Sequence, residues 1–130
     1  DLRDVAALQV IVKRVGDEQG PVTALVNNAG NDDRHRAQDV TLDYWNDRIA
    51  VNLRHQFFAA QAAYPQMKAA GGGSIVNFGS ISWMNTEGGY NAYTTAKAAV
   101  VPSRPATRRR PMRCSPRWPA WWTWSGTRPA

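Results

Sequence analysis

Two short apolar runs do most to limit what this chain can fold into: Thr23-Ala-Leu-Val26 and the stretch from Ser74 to Phe78. Gly20-Pro21 and Asn27-Asn28-Ala29-Gly30 bound the first, while Gly71-Gly72-Gly73 and a Gly/Ser turn bound the second. Runs this short, closed on both sides by turn formers, read as strands rather than helices. Between them Leu42, Trp45, Ile49, Leu53 and Phe57 recur at helical spacing. Two strands joined through a helix lie parallel, with the helix as the crossover.

The flanking segments extend this alternation. Val5, Leu8, Val12 and Val15 mark a helix over Asp1–Gly20. The polar segment Asn31–Val40 reads as a loop. Thr41 is placed to cap the next helix, with Asp43 in its first turn. That helix should run toward Lys68, bend near Pro65 and stop at the three glycines. Strand two leads through Gly88-Gly89 into a third helix carrying Tyr93 and Lys97. The order helix, strand, helix, strand, helix predicts an α/β fold, part of a doubly wound parallel sheet with flanking helices. Ligands in such sheets sit at the carboxyl ends of the strands. Asn27–Gly30 and Gly79–Ser82 both fall there, so they should converge although about fifty residues separate them.

The chemistry is concentrated between Ser74 and Lys97. On a helix, Tyr93 and Lys97 share one face, one turn apart. An ammonium held near a phenol favours the phenolate, which can take a proton. Ser80 adds a hydroxyl at the mouth of the sheet. These are the parts needed to move a proton on a carbinol, so the segment reads as an alcohol/carbonyl oxidoreductase site.

Charge divides the chain near Val100. The net charge is +6, yet all ten acidic residues lie before that point. Residues 101–130 carry seven Arg, six Pro and four Trp, with no acid and no hydrophobic period. Arg, Pro and Trp codons are rich in G and C, so an out-of-frame reading accounts for this tail, and a disordered basic tail is the rival account. The expected organisation is a partial dinucleotide-binding domain over 1–100 and an irregular tail over 101–130. Arg108-Arg109-Arg110 with the four tryptophans predicts nonspecific, salt-sensitive sticking rather than specific nucleic-acid binding. The single Cys114 excludes an internal disulfide. No apolar run approaches membrane-spanning length, and a cytoplasmic location is expected. The sequence opens on Asp1, so a natural start upstream is expected.

Taken together, Asn27-Asn28-Ala29-Gly30, Asn52, Ser80, Tyr93 and Lys97 resemble the motif set of the short-chain dehydrogenases/reductases. The resemblance covers the middle of that fold, so its first and last strands are expected outside this chain. It implies NAD or NADP as cofactor and a catalytic set of Asn52, Ser80, Tyr93 and Lys97. Tyr93 would act as general base and Lys97 would favour its ionised form while holding the nicotinamide ribose. Ser80 would bond the reacting oxygen. Asn52 would sit at a disturbed point of the long helix and support a water relay. Asn27, Ala29 and Gly30 would line the cofactor, and Asp1 and Leu2 would grip its adenine edge. The family's Thr-Gly-x-x-x-Gly-x-Gly turn, where a pyrophosphate meets a helix N-terminus, does not occur in this sequence.

Within the family, Asn31-Asp-Asp-Arg-His35, Asn52-Leu-Arg-His55 and Asn77-Phe-Gly-Ser-Ile-Ser-Trp83 are similar to the aldose 1-dehydrogenase branch. This implies oxidation of a sugar carbinol at C1, with Asn31, Asp32, His35, Ser82 and Trp83 as substrate contacts. A polar loop suits the several hydroxyls of a sugar, whereas an acyl chain wants an apolar slot. The alternatives are a 3-oxoacyl reductase of the same family, a non-catalytic remnant, and a basic-tailed nucleic-acid-associating protein. No metal site is expected, since His35 and His55 lack ligand spacing and suit solvated or loop hydrogen-bonding roles. The resemblance also implies homo-oligomer contacts through the 41–70 and 90–101 helices.

Overall fold

The structure, a computed structural model, describes residues 1–85 and 88–100. The irregular tail expected over 101–130 lies outside the described residues. The elements are α1 (Val5–Gln19), β1 (Ala24–Asn27), α2 (Leu42–Ile49), a π-helical segment (Ala50–Arg54), α3 (His55–Ala69), β2 (Ser74–Asn77) and α4 (Asn91–Ala99). The alternation expected from the sequence is present, and the two strands pair in parallel. The result is a partial doubly wound α/β fold.

Several boundaries differ from expectation by a few residues, β1 among them, which lies one position later than Thr23–Val26. α1 begins at Val5 rather than Asp1, because the Asp4 carboxylate accepts from the Ala7 N–H at 2.9 Å and caps the helix there. The long helix is interrupted at Ala50–Arg54, around Asn52 where the resemblance implied a disturbed point, and runs on through Pro65 to Ala69. It then ends as a Schellman closure: Gly72 N–H donates to the Met67 carbonyl and Gly71 N–H to the Lys68 carbonyl, with Gly71 at φ 82°. β2 ends at Asn77, so Ser80 lies on the following loop rather than at the strand end. The Thr41 cap forms as expected, its hydroxyl accepting from Tyr44 N–H at 3.2 Å.

The core is built from small side chains. Ala50, Ala59, Ala63, Ala92 and Ala96 are buried with Met67, Tyr90 and Val100, which lets helices approach one another and the sheet closely. α3 packs on α1 and β1, while α4 packs on α2 and the π segment. The predicted apolar stripe is therefore only partly inward. Leu42 and Phe57 are exposed, because Leu42 sits in the first turn and the wider π turn changes which residues of α3 face inward. The sheet is covered on one face only. Leu25 and Ile75, partners in register, are half-buried, whereas Val26 and Val76 on the opposite face are exposed. The expectation of a buried first strand holds for one of its two faces.

Candidate active site

The register brings the two strand ends side by side. Asn27 lies opposite Asn77, and the Asn27 amide donates to the Asn77 side-chain oxygen at 2.7 Å. Beyond this pair the two turns diverge around an open cleft of about 220 Å³. Asn28, Gly30, Asn31 and Asp32 form one wall, Phe78 and Gly79 another, and Tyr93 and Lys97 of α4 the third. The convergence of the two turn motifs is thus present.

Lys97 reaches this cleft from a buried position. It is 3 % exposed, and its ammonium donates to the Phe78 carbonyl at 2.9 Å. Among the described residues no carboxylate pairs with it. Burial pushes the amine below the ordinary lysine pKa. Its Nζ lies 5.7 Å from the centre of the Tyr93 ring, one helical turn away as the spacing predicted.

Asn52 is fully buried in the π segment. Its Nδ2 donates to the Arg48 carbonyl at 3.0 Å, and its Oδ1 accepts from Asn31 N–H at 2.8 Å. The irregular turn and the cleft wall are thus joined through one side chain. Gly30 lies between this oxygen and the lysine: a Cβ there would sit 3.1 Å from Asn52 Oδ1 and 3.2 Å from Lys97 Nζ. Behind them His55 is 2 % exposed, with Nδ1 at 3.4 Å from the Ala50 carbonyl. Burial is the main influence lowering its pKa, and the Lys97 charge acts in the same direction. His55 is therefore a buried helix residue, contrary to the solvated or loop role expected for it.

The Asn31–His35 loop is held by partners that the sequence did not reveal. Asn31 Oδ1 accepts from Arg48 Nη1 at 2.6 Å and from Asp33 N–H at 2.9 Å, which leaves its amide N–H groups for a ligand. Tyr44 donates to Asp33 Oδ2 at 3.0 Å and lies 2.8 Å from His35 Nδ1. Burial raises the Tyr44 pKa, and the hydrogen bond to Asp33 adds to this. His35 N–H also donates to the Gly89 carbonyl at 2.7 Å, tying this loop to the segment before α4. His35 is thus a loop-fixing residue whose ring is engaged away from the cleft walls. Asp32 stays on the wall, with Arg34 at 3.8 Å.

Other expected site residues are distributed unevenly. Ser80 donates to Ser82 Oγ at 2.8 Å and accepts from Ser82 N–H at 3.1 Å, just beyond the Phe78–Gly79 wall. Trp83 follows, exposed like Ile81 and Met84 beside it. Asn27 points inward, since its amide is spent on Asn77 and the Gln56 carbonyl. Ala29 is exposed on the turn between Asn28 and Gly30. Asp1 and Leu2 stand apart from the cleft. Asp1 pairs with Arg3 at 2.6 Å, and Arg3 reaches Asp47 at 2.9 Å. Arg3, then Arg48, hold the Asp47 carboxyl below its usual range. The roles of Arg48, Tyr44 and Asn77 were missed because a helix or strand position alone does not show which loop or strand its side chain meets. The Asn27–Asn77 pairing follows from the register of the two strands, which the sequence reading did not fix.

Comparison with known proteins gives a consistent picture. Residues 1–105 match the family described as short chain dehydrogenase. The D-xylose 1-dehydrogenase of Caulobacter vibrioides is 50% identical over 100 residues, which is 77% of this chain and 39% of that protein. A probable galactose dehydrogenase of Rhizobium meliloti is 45% identical over 101 residues, 78% of this chain and 40% of that protein. Among solved structures, a short-chain dehydrogenase from Streptomyces avermitilis superposes with a TM-score of 0.70 at 30% identity, covering 77% of this chain and 37% of that one. The chain thus spans about two fifths of the length of the curated relatives it matches. The order of strands and helices, the turns at the strand ends and the sequence identity all point the same way: the chain belongs to the short-chain dehydrogenase family.

Proposed function

We propose that this chain carries the proton-transfer half of an NAD(P)-dependent dehydrogenase site that oxidises a sugar carbinol at C1. The observation that carries the reading is the meeting of Lys97, Asn52 and Gly30 at one cleft, with Tyr93 on the same helix one turn from Lys97. The cleft also fits part of a nicotinamide dinucleotide. Gly30 keeps open a space that a Cβ would fill, and Lys97 spends one donor on Phe78 while an ammonium has three. When bound, that cofactor supplies the hydride acceptor. Gly30 and Lys97 are the residues to hold its ribose end, with Ala29 beside them. Asp1 and Leu2 are proposed for the adenine edge.

In this reading Tyr93 takes the proton of the substrate hydroxyl, and the Lys97 ammonium stabilises the resulting negative charge. Ser80 orients the reacting oxygen once Ser82 yields its hydrogen bond. Asn52 fixes Asn31 and the irregular helix turn, and so the wall against which the proton leaves. Asn31 and Asp32 present polar groups to substrate hydroxyls, with Ser82 and Trp83 on the opposite loop; His35 contributes by fixing the loop. Polar walls favour a sugar over the acyl chain of a 3-oxoacyl reductase. The names of the relatives agree with that preference.

The test is a chimera in which this chain's first hundred residues replace the matching segment of the Caulobacter enzyme. NAD reduction with D-xylose or D-galactose is expected. Tyr93→Phe should lower kcat by at least about a hundredfold. A chimera that folds and binds NAD yet turns over no sugar defeats the proposal, and turnover of a 3-oxoacyl thioester instead favours the alternative.

A further inference from the structure

Asn31 is held twice, through its backbone and through its side chain. Its N–H donates to Asn52 Oδ1 at 2.8 Å, and Asn52 Nδ2 donates to the Arg48 carbonyl at 3.0 Å. Arg48 Nη1 then donates to Asn31 Oδ1 at 2.6 Å, so three residues close a ring of hydrogen bonds at the cleft wall. Arg48 is well placed to hold that ring. Its side chain is 15 % exposed, and Nε and Nη2 both donate to Asp47 Oδ2, which fixes the direction of the planar guanidinium. Asp33 N–H is a second donor on Asn31 Oδ1, at 2.9 Å. Two donors on one atom settle which end of the carboxamide is the oxygen. The nitrogen is the end left over, with two N–H groups and no acceptor among the described residues. Asn31 lines the cleft beside Asp32, whose ionised carboxylate can only accept. A donor and an acceptor thus stand next to each other.

We propose that Arg48 is a positioning residue for substrate choice: it holds Asn31 as a donor, so that Asn31 and Asp32 together take two neighbouring hydroxyls of a polyhydroxy substrate. One hydroxyl oxygen accepts from Asn31 Nδ2, and the next hydroxyl donates to the Asp32 carboxylate. A polyol offers that pair on adjacent carbons, whereas a monohydric alcohol leaves one of the two groups without a partner. Were the carboxamide turned over, its oxygen would stand beside the Asp32 carboxylate, and two acceptors would meet the same edge of the substrate. Arg48 itself is not on the cleft walls, so its effect passes through Asn31. This role rests on the sugar-carbinol reading above and narrows it to substrates with adjacent hydroxyls.

The experiment is an NMR titration of the full isotope-labelled chain with D-xylose, and with cyclohexanol as the monohydric control. No cofactor is added. D-xylose should shift the Asn31 side-chain amide signals saturably, and cyclohexanol should bind there at least about fivefold more weakly, the worth of one neutral hydrogen bond. Asn31→Asp keeps an oxygen for Arg48 but replaces the donor by an acceptor, and should weaken xylose by about fivefold or more. Arg48→Met should cost about the same, while Arg48→Lys, whose ammonium can still donate to Asn31 Oδ1, should stay within about twofold of the unaltered chain. Still Asn31 signals in the unaltered chain overturn the role, as does full xylose affinity in Arg48→Met or equal binding of cyclohexanol. Should Arg48→Met unfold, Asn31→Asp decides: lost affinity supports the role and retained affinity overturns it. The dehydrogenase reading fails separately. Xylose binding as expected beside a chimera without turnover defeats that reading alone, and turnover with still Asn31 signals defeats only the role of Arg48.

Discussion

Gly30 shows how much of this site depends on one missing methyl group. A side chain there would press on Asn52 Oδ1 and Lys97 Nζ at once. Neither neighbour can retreat easily, since Asn52 is tied to Asn31 and Arg48 while Lys97 is tied to Phe78. Gly30→Ala should therefore lower stability by about 1–2 kcal/mol, read from the urea midpoint. Gly79→Ala, where a Cβ meets nothing within 4 Å, should stay within about 0.5 kcal/mol. His55 sets a second expectation at this scale. Its pKa is lowered from 6.5 by burial, so the unfolded chain binds the proton first. Stability should then fall as pH drops below about 6.5 toward the folded pKa. Asp47, lowered from 3.8, acts only at more acid pH, and Lys97, lowered from 10.5, acts below 10.5 down to its own folded pKa with the same sign of slope. His55→Gln should flatten the slope of urea midpoint against pH just below about 6.5. An unchanged slope would mean that His55 is solvated after all.

The element that most shapes the site is the π segment Ala50–Arg54. It buries Asn52 and His55 together, and the Asn52 side chain reaches back to the Arg48 carbonyl. Asn52→Ala leaves that carbonyl and the Asn31 N–H short of a partner, at a cost of about 1–3 kcal/mol in urea unfolding. If the cost is negligible, the Asn52 bonds do not support the segment. The helix period in the sequence gave no warning of this interruption, because a π turn adds a residue without altering composition. The Thr41 cap and the Gly71 closure were legible, because each depends on residues within a few positions. α1 is fastened differently. Gln66 of α3 donates to the Val12 carbonyl and accepts from Val22 N–H, and it fills the space beside Gly16. Gln66→Ala should speed hydrogen exchange at the Val22 amide by about tenfold, while amides in the middle of α3 keep their protection. Equal acceleration in both places would point to global destabilisation instead.

At the scale of the molecule, a two-stranded sheet carries helices on one face and leaves Val26, Val76 and Phe78 exposed near the other. Apolar surface of this kind binds hydrophobic dyes in the native state. The native chain should enhance ANS fluorescence, and replacing Val26 and Val76 together by Thr should reduce the signal with the far-UV spectrum unchanged. An undiminished signal would move the dye site to the exposed Ile81–Met84 loop. No described helix is long and apolar enough to cross a membrane.

The sequence by itself determined the alternation of elements, the parallel sense of the strands, the cap at Thr41 and the one-turn spacing of Tyr93 and Lys97. These follow from local periodicity and short-range hydrogen bonding, which a chain carries in consecutive residues. Tertiary structure decided what each polar side chain faces. Asn27 turns inward because Asn77 lies opposite it, His35 is held by Tyr44, and Asp1 is drawn to Arg3 rather than to the cleft. It also decided that Lys97 stands buried with its ammonium on the Phe78 carbonyl and, among the described residues, no acid paired with it. The Asn27–Asn77 contact and the placement of Lys97 depend on register and packing between residues far apart in the chain, and spacing along the chain does not encode them.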